Sequence, residues 1–311
     1  NVATDFFESG RDAEAMDVFG QIIKADPYFP QAYELVARIN ESHGRLAAAI
    51  RHYERAIELD PRSQTSIQLA NLYMDIGDFD KVDQWIDRAA ASETEARSPD
   101  LQWLRIKALA ARGDQAGARV QMRKMLDTTP SSFATSSNAT VAAYFLDEPQ
   151  LAIEAWELGQ QLQVDANRPN DVMMGRGSWM FEGNLETPIA AAYAYSQAGR
   201  KTEADAVLTN LESWLDKQMS ERARVNSEFW YVKAQILSIR GESNLALLHL
   251  QRAIDEGWHE HWRPFLEPCL ADLLELDTFK SMMAGLAARM QLMGKQLEFD
   301  DLFAIGPQQS A

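Results

Sequence analysis

Between Pro30 and Pro61 the sequence reads PQAYELVARINESHGRLAAAIRHYERAIELDP, with apolar residues recurring at helical spacing on both sides of Gly44. That period puts them on one face of a helix, so the stretch predicts two amphipathic helices joined by a tight turn. Gly44 marks the reversal, because glycine takes the left-handed conformation that ends a helix without a steric penalty. Ala37 and Ala49 are small enough to let the two helices approach, and Tyr33, Val36, Tyr53 and Ala56 are expected to fill the seam. Pro61 opens the next unit, since proline is tolerated in the first turn of a helix.

The same pattern recurs along the chain. Turn glycines stand at Gly10, Gly44, Gly77, Gly113, Gly199 and Gly241, and the first four are 34, 33 and 36 residues apart. Five residues after each comes a small or β-branched residue: Ala15, Ala49, Val82, Ala118, Ala204 and Ala246. Four residues further on stand Phe19, Tyr53, Ile86, Met122, Leu208 and Leu250. Pro27, Pro61 and Pro130 close units. A degenerate unit lies around 147–159, where Asp147 replaces the turn glycine while Ala152 and Trp156 keep the small-then-large pair. Few residues precede Gly10, and Asn1–Phe7 has no basic region followed by an apolar one, so the first repeat reads as truncated from a longer array.

A helix–turn–helix unit with this period closely resembles the tetratricopeptide repeat. The resemblance implies an all-α, right-handed solenoid of about seven helix pairs. A C-terminal capping helix is expected from Asp277-Thr-Phe279, followed by Met282, Leu286 and Met290 at helical spacing. The organisation expected is repeats over 1–163, a Met/Trp/Gly-rich insertion over 164–188, repeats over 189–257, and capping helices with a tail over 258–311. The wider spacing from Gly199 to Gly241 predicts a lengthened helix near Trp214. The tail, with Gly257-Trp258, an aromatic segment and the Asp-x-Phe helix, also looks like the repeat regions of bacterial signalling proteins.

Charge narrows the partners. The 311 residues carry 46 acidic against 30 basic side chains, a net charge of −16. A phosphate-binding surface is cationic, so nucleic acid and anionic lipid headgroups are disfavoured. No apolar run approaches the roughly 18 residues that span a bilayer, so direct membrane insertion is not expected. One cysteine, Cys269, rules out an internal disulfide framework and leaves the compartment open between cytoplasm and periplasm. The resemblance to sensory regions favours the periplasm.

Candidate chemistry is sparse. His259-Glu260-His261, between Trp258 and Trp262, offers two imidazoles and a carboxylate, but a zinc shell needs a further ligand such as Glu267 and an extended backbone. A polar linker is the plainer reading, and no metal or cofactor is expected. Gly175-Arg176-Gly177-Ser178 lacks the Lys-Ser/Thr of a phosphate loop and the glycine spacing of a nucleophile elbow. Nothing else suggests convergent catalytic groups, so the chain is not expected to be an enzyme. In the insertion, Met173, Met174, Arg176, Trp179, Met180 and Phe181 suit either a plug in the solenoid or an adaptable contact surface.

The family resemblance implies a concave groove lined by the first helix of each repeat, with Glu34, Arg38, Glu41, Ile67, Asn71, Met74, Ile189, Tyr193, Tyr231 and Gln235 at groove positions. Repeats that clamp a C-terminal carboxylate carry lysine and asparagine where Glu34 and Arg38 stand here, so that mode is disfavoured. The function expected is a scaffold binding a protein or peptide segment, with a basic one favoured by charge. The alternative is a ligand-sensing domain of a bacterial regulator that uses the 164–188 insertion. A homodimer through the truncated first repeat is compatible with either.

Overall fold

A computed structural model describes residues 5–7, 9–61, 65–91, 99–127, 130, 132–165, 185–221 and 225–304. Among these residues the regular secondary structure is entirely helical. The helices are α1 (Asp12–Ala25), α2 (Pro30–Ser42), α3 (Leu46–Leu59), α4 (Ser66–Ile76), α5 (Phe79–Ala91), α6 (Pro99–Ala111), α7 (Gln115–Leu126), α8 (Phe133–Phe145), α9 (Pro149–Asp165), α10 (Glu186–Gln197), α11 (Lys201–Glu221), α12 (Ser227–Ile239) and α13 (Ser243–Asp255). Two 3₁₀ turns follow, Arg263–Phe265 and Pro268–Leu273, and then α14 (Asp277–Ala304). No described helix is long and apolar enough to cross a membrane.

The chain divides into two compact units, neither continuous in sequence. The first comprises Asn1–Arg112, Glu256–Trp262 and Ser281–Ala311; the second comprises Gly113–Asp255 and Arg263–Lys280. Within the first, α2 pairs with α3 and α4 with α5, and α3 stacks on α4. Within the second, the pairs are α8 with α9, α10 with α11 and α12 with α13, each stacked on the next. These are the antiparallel helix pairs that the repeat period predicts.

Each pair closes on one residue in the left-handed region. Gly10, Gly44, Gly77, Gly113, Gly199 and Gly241 all have positive φ, between 67° and 85°. At Gly44 the glycine N–H donates to the Glu41 carbonyl at 2.7 Å and the Arg45 N–H to the Asn40 carbonyl at 2.9 Å. The second bond reaches back five residues and satisfies a carbonyl that the helix end would otherwise leave unmet. In the degenerate unit Asp147 holds the same place with φ 59°, and the N–H groups of Asp147 and Glu148 reach the Tyr144 and Ala143 carbonyls, each at 2.9 Å.

The small-then-large pairs form the seams. Ala15, Ala49, Val82 and Ala246 are fully buried, as are Phe19, Tyr53, Leu208 and Leu250 to within 2%. The lengthened helix is α11, where Leu211 and Leu215 add two buried turns beyond Leu208. The long C-terminal helix is present and buries Phe279, Met283, Leu286, Met290 and Leu297. From Ser281 onward it belongs to the first unit, where Gly294 lies against the Ile76 carbonyl of α4. On α13, Leu245 and Leu248 stay exposed.

Replacing Asp147 by glycine is expected to stabilise the protein by about 1 kcal/mol, because a side chain in the left-handed region carries a penalty that glycine avoids. Gly44→Ala should do the reverse and cost more than Gly241→Ala. A Cβ at position 44 would lie 3.2 Å from the Gly257 backbone, whereas at position 241 it meets nothing within 4 Å. Thermal melts of the three variants check the order.

Candidate functional site

The polar chemistry of the second unit gathers where the chain returns from the last repeat and runs along the first helices of the pairs. Tyr144 lies on α8, Glu186 at the start of α10, and Glu228, Tyr231 and Gln235 on α12. All five contact a stretch of the protein's own chain, Arg263–Cys269. The Glu267 carboxylate, almost fully buried, accepts from the Tyr144 hydroxyl at 2.8 Å, the Gln235 amide at 2.6 Å, the Arg263 Nε at 3.0 Å and the Tyr231 hydroxyl at 3.4 Å.

Arg263 links this carboxylate to two others. Its Nη1 pairs with Glu228 and its Nη2 with Glu186, both at 2.9 Å, while its guanidinium carbon lies 4.7 Å from the Tyr231 ring centre. The backbone is held as well. The Cys269 N–H donates to the Tyr144 hydroxyl at 3.3 Å, and the Ser238 hydroxyl donates to the Cys269 carbonyl at 2.6 Å. Three carboxylates therefore surround one guanidinium, with Arg263 and Glu267 buried and Glu186 and Glu228 part-open. Burial pushes the Glu267 carboxyl above its usual range, against the pull of Arg263 and the Tyr144 hydrogen bond. Burial also raises the Tyr144, Tyr231 and Cys269 groups well above their ordinary values.

The first unit repeats the arrangement with other residues. Asp75, buried on α4, accepts from the Trp262 indole Nε1 at 2.8 Å and faces His259 Nε2 at 3.3 Å. The other ring nitrogen of His259, Nδ1, lies 2.9 Å from the Gly257 carbonyl and donates to it. With Nδ1 as donor, the Asp75–His259 contact needs one proton of its own, carried by the imidazole or by the carboxyl. Gly257 makes the approach possible: with φ 104°, it sits so close that a Cβ there would lie 3.0 Å from the Gly44 amide. Trp258 and Trp262 are buried. Trp258 and Trp262 thus anchor the segment 258–262 in the interior while the three residues between them stay part-open, and the partner of His259 is Asp75. Among the described residues, no group of three His, Cys, Asp or Glu side chains is placed to hold a metal ion.

The groove positions expected from the sequence fall into two sets. Glu34, Arg38, Glu41, Ile67, Asn71 and Tyr193 keep part of their surface open. Glu41 accepts from the Tyr53 hydroxyl at 2.8 Å, Arg38 lies over the Phe7 ring, and Tyr193 meets Tyr144 edge-on. Met74, Ile189, Tyr231 and Gln235 are buried, unlike the open groove positions expected of them. Tyr231 and Gln235 are covered by the protein's own Arg263 and Glu267. Met173, Met174, Arg176, Trp179, Met180 and Phe181 lie outside the described residues.

The local pattern does not single out Tyr144, Glu186, Glu228 or Arg263. Asp75 does carry one signal: it interrupts an apolar run between Met74 and Ile76, and an acid there needs a buried partner. The Arg263–Glu267 spacing carries little information until the fold brings α8, α10 and α12 to it.

Truncating Arg263 to alanine should destabilise the protein by about 3 kcal/mol or more, because it leaves the buried Glu267 carboxylate without its guanidinium; chemical denaturation measures it. The Asp75–His259 pair sets a pH dependence. Burial raises the Asp75 pKa to about 7, with His259, the Trp262 indole and Lys107 pulling it down and Glu260 pushing it up. Burial lowers that of His259, but Asp75, the Gly257 carbonyl, Glu41 and Glu260 outweigh it and leave a net rise. Both folded groups hold protons to higher pH than in the unfolded chain, so stability should fall as pH rises from about 5 to 8. The slope is at most about 1.4 kcal/mol per pH unit for each proton. Asp75→Asn, which keeps an acceptor for Trp262 and offers His259 a donor, should flatten the profile in melts from pH 5 to 8.

Residues 3–63 match the tetratricopeptide repeat family. No curated protein matches the chain. Among solved structures, a tetratricopeptide repeat protein from Parabacteroides merdae is 14% identical, over 86% of this chain and 94% of that one, with a TM-score of 0.43. The tetratricopeptide repeat domain of P58(IPK) is 15% identical, over 95% and 97% of the two chains, with a TM-score of 0.30. The family match covers residues 3–63, and the same helix pair, left-handed turn and small-then-large seam recur beyond it.

Proposed function

We propose that the protein is a non-catalytic scaffold that takes a protein or peptide segment along the first helices of its repeats. Tetratricopeptide repeats mediate protein–protein interaction, and the observation that carries the reading here is the half-open polar row on α2 and α4. Glu34, Arg38 and Glu41 follow one another at helical spacing along α2, with Ile67 and Asn71 on α4. Side chains three and four residues apart share one helix face. Such a row offers charge and hydrogen bonds to a segment laid along it.

The partner is a basic segment. The net charge of −16 favours cationic chains and speeds their encounter at low salt. The two acids on α2, Glu34 and Glu41, give that preference a local counterpart.

Capture from a lysate of the source organism, with the retained protein identified by mass spectrometry and its affinity then measured, tests the reading. Glu34→Lys with Glu41→Lys should weaken that affinity at least tenfold, and raised salt should weaken it in the unaltered protein. Trp179→Ala should leave it unchanged. Retention that survives the double charge reversal would remove α2 from the interface and refute the proposal.

A further inference from the structure

The contact made by Arg263–Cys269 in the second unit has the chemistry of a ligand in a receptor more than that of a core. Apolar seams hold the helix pairs together, yet this segment is fastened by a buried carboxylate, a forked guanidinium and two backbone hydrogen bonds. Every receiving group lies on a first helix or its start: Tyr144 on α8, Glu186 on α10, and Glu228, Tyr231, Gln235 and Ser238 on α12. The segment runs along these helices with little secondary structure of its own, only two 3₁₀ turns.

The fit is incomplete. Gln235 is fully buried and its amide nitrogen serves Glu267, but its Oε1 has no hydrogen-bond partner among the described residues. On the receiving face Glu186 and Glu228 both pair with the guanidinium of Arg263, which the segment's own Glu267 engages as well. A buried ion cluster adds less net stability than apolar packing of the same volume. Phe265, between the two charged residues, is 53% exposed and adds little burial.

We propose that Arg263–Cys269 is an internal ligand occupying the recognition face of α8, α10 and α12, and that a partner segment with the same Arg-x-x-x-Glu spacing competes with it. The inference rests on the scaffold reading and names the partner's motif for the second unit. The guanidinium of the incoming segment pairs with Glu186 and Glu228, and its carboxylate takes the hydrogen bonds of Tyr144, Tyr231 and Gln235. An arginine-bearing ligand also agrees with the acidic character of the chain.

The test uses the full chain and a synthetic peptide spanning residues 261–271. In the unaltered protein, excess peptide should speed hydrogen exchange at the Cys269 amide at least tenfold, since that N–H loses the Tyr144 hydroxyl when the segment leaves. Arg263→Lys, which keeps the charge but loses the fork, should bind fluorescent peptide at least tenfold more tightly than the unaltered chain. A peptide with its own arginine and glutamate replaced by alanine should do neither. Unchanged exchange in the unaltered chain, together with no gain in peptide binding by a folded Arg263→Lys variant, would make the segment a fixed part of the core and overturn the proposal. The exchange measurement needs no substitution, so if the variant failed to fold, unchanged exchange alone would overturn the proposal and faster exchange would support it. No natural partner enters the experiment, so its failure leaves the scaffold reading to the α2 charge reversal.

Discussion

A helix pair can stack on the next pair only if the chain reverses within a few residues, and that reversal needs one residue in the left-handed region. Everything else in the repeats follows from it. The turn sets the offset at which the second helix begins, and that offset places a small residue and then a large one against the first helix. Where Asp147 takes the turn in place of glycine, the hydrogen bonds of the turn are kept and the seam continues through Ala152 and Ile153. The constraint is therefore on backbone conformation, and side-chain identity at the turn decides only how much strain the unit carries.

The same geometry leaves a polar problem on the other side of each pair. First helices turn toward a face that a short stack does not cover, and in both units the returning chain covers part of it. In the first unit the cover is aromatic, with Trp258 and Trp262 buried and a single Asp75–His259 contact holding a proton. In the second it is ionic, centred on Arg263 and Glu267. Burying such groups without partners would be severely unfavourable, so each is met by a specific donor or acceptor. That specificity fixes which part of the tail lies on which helix.

These clusters also explain why a strongly acidic protein can bury several carboxylates. Glu267 is tied to Arg263 and two tyrosine hydroxyls, and Asp75 to an indole and an imidazole. The raised pKa values in these clusters come mainly from loss of water. Part-open polar residues lie along α2 and α4, which is where the scaffold reading puts its partner.

Local rules sufficed for the repeats. Glycine at a regular period, a small residue five positions on and a large one four beyond that are short-range features, and each reports a backbone or packing requirement met within one helix pair. The turn residues, the seam residues, the lengthened α11 and the long terminal helix were all legible for that reason. The destination of the tail was not. His259 and Trp262 meet Asp75 across more than 180 residues of sequence, and Glu267 meets Tyr144 across 123. No local period encodes such pairings, because a buried carboxylate accepts any correctly placed donor. Only the stacking of the pairs decided which donors those would be, and with them which of the residues expected to line a groove are part-open and which are buried.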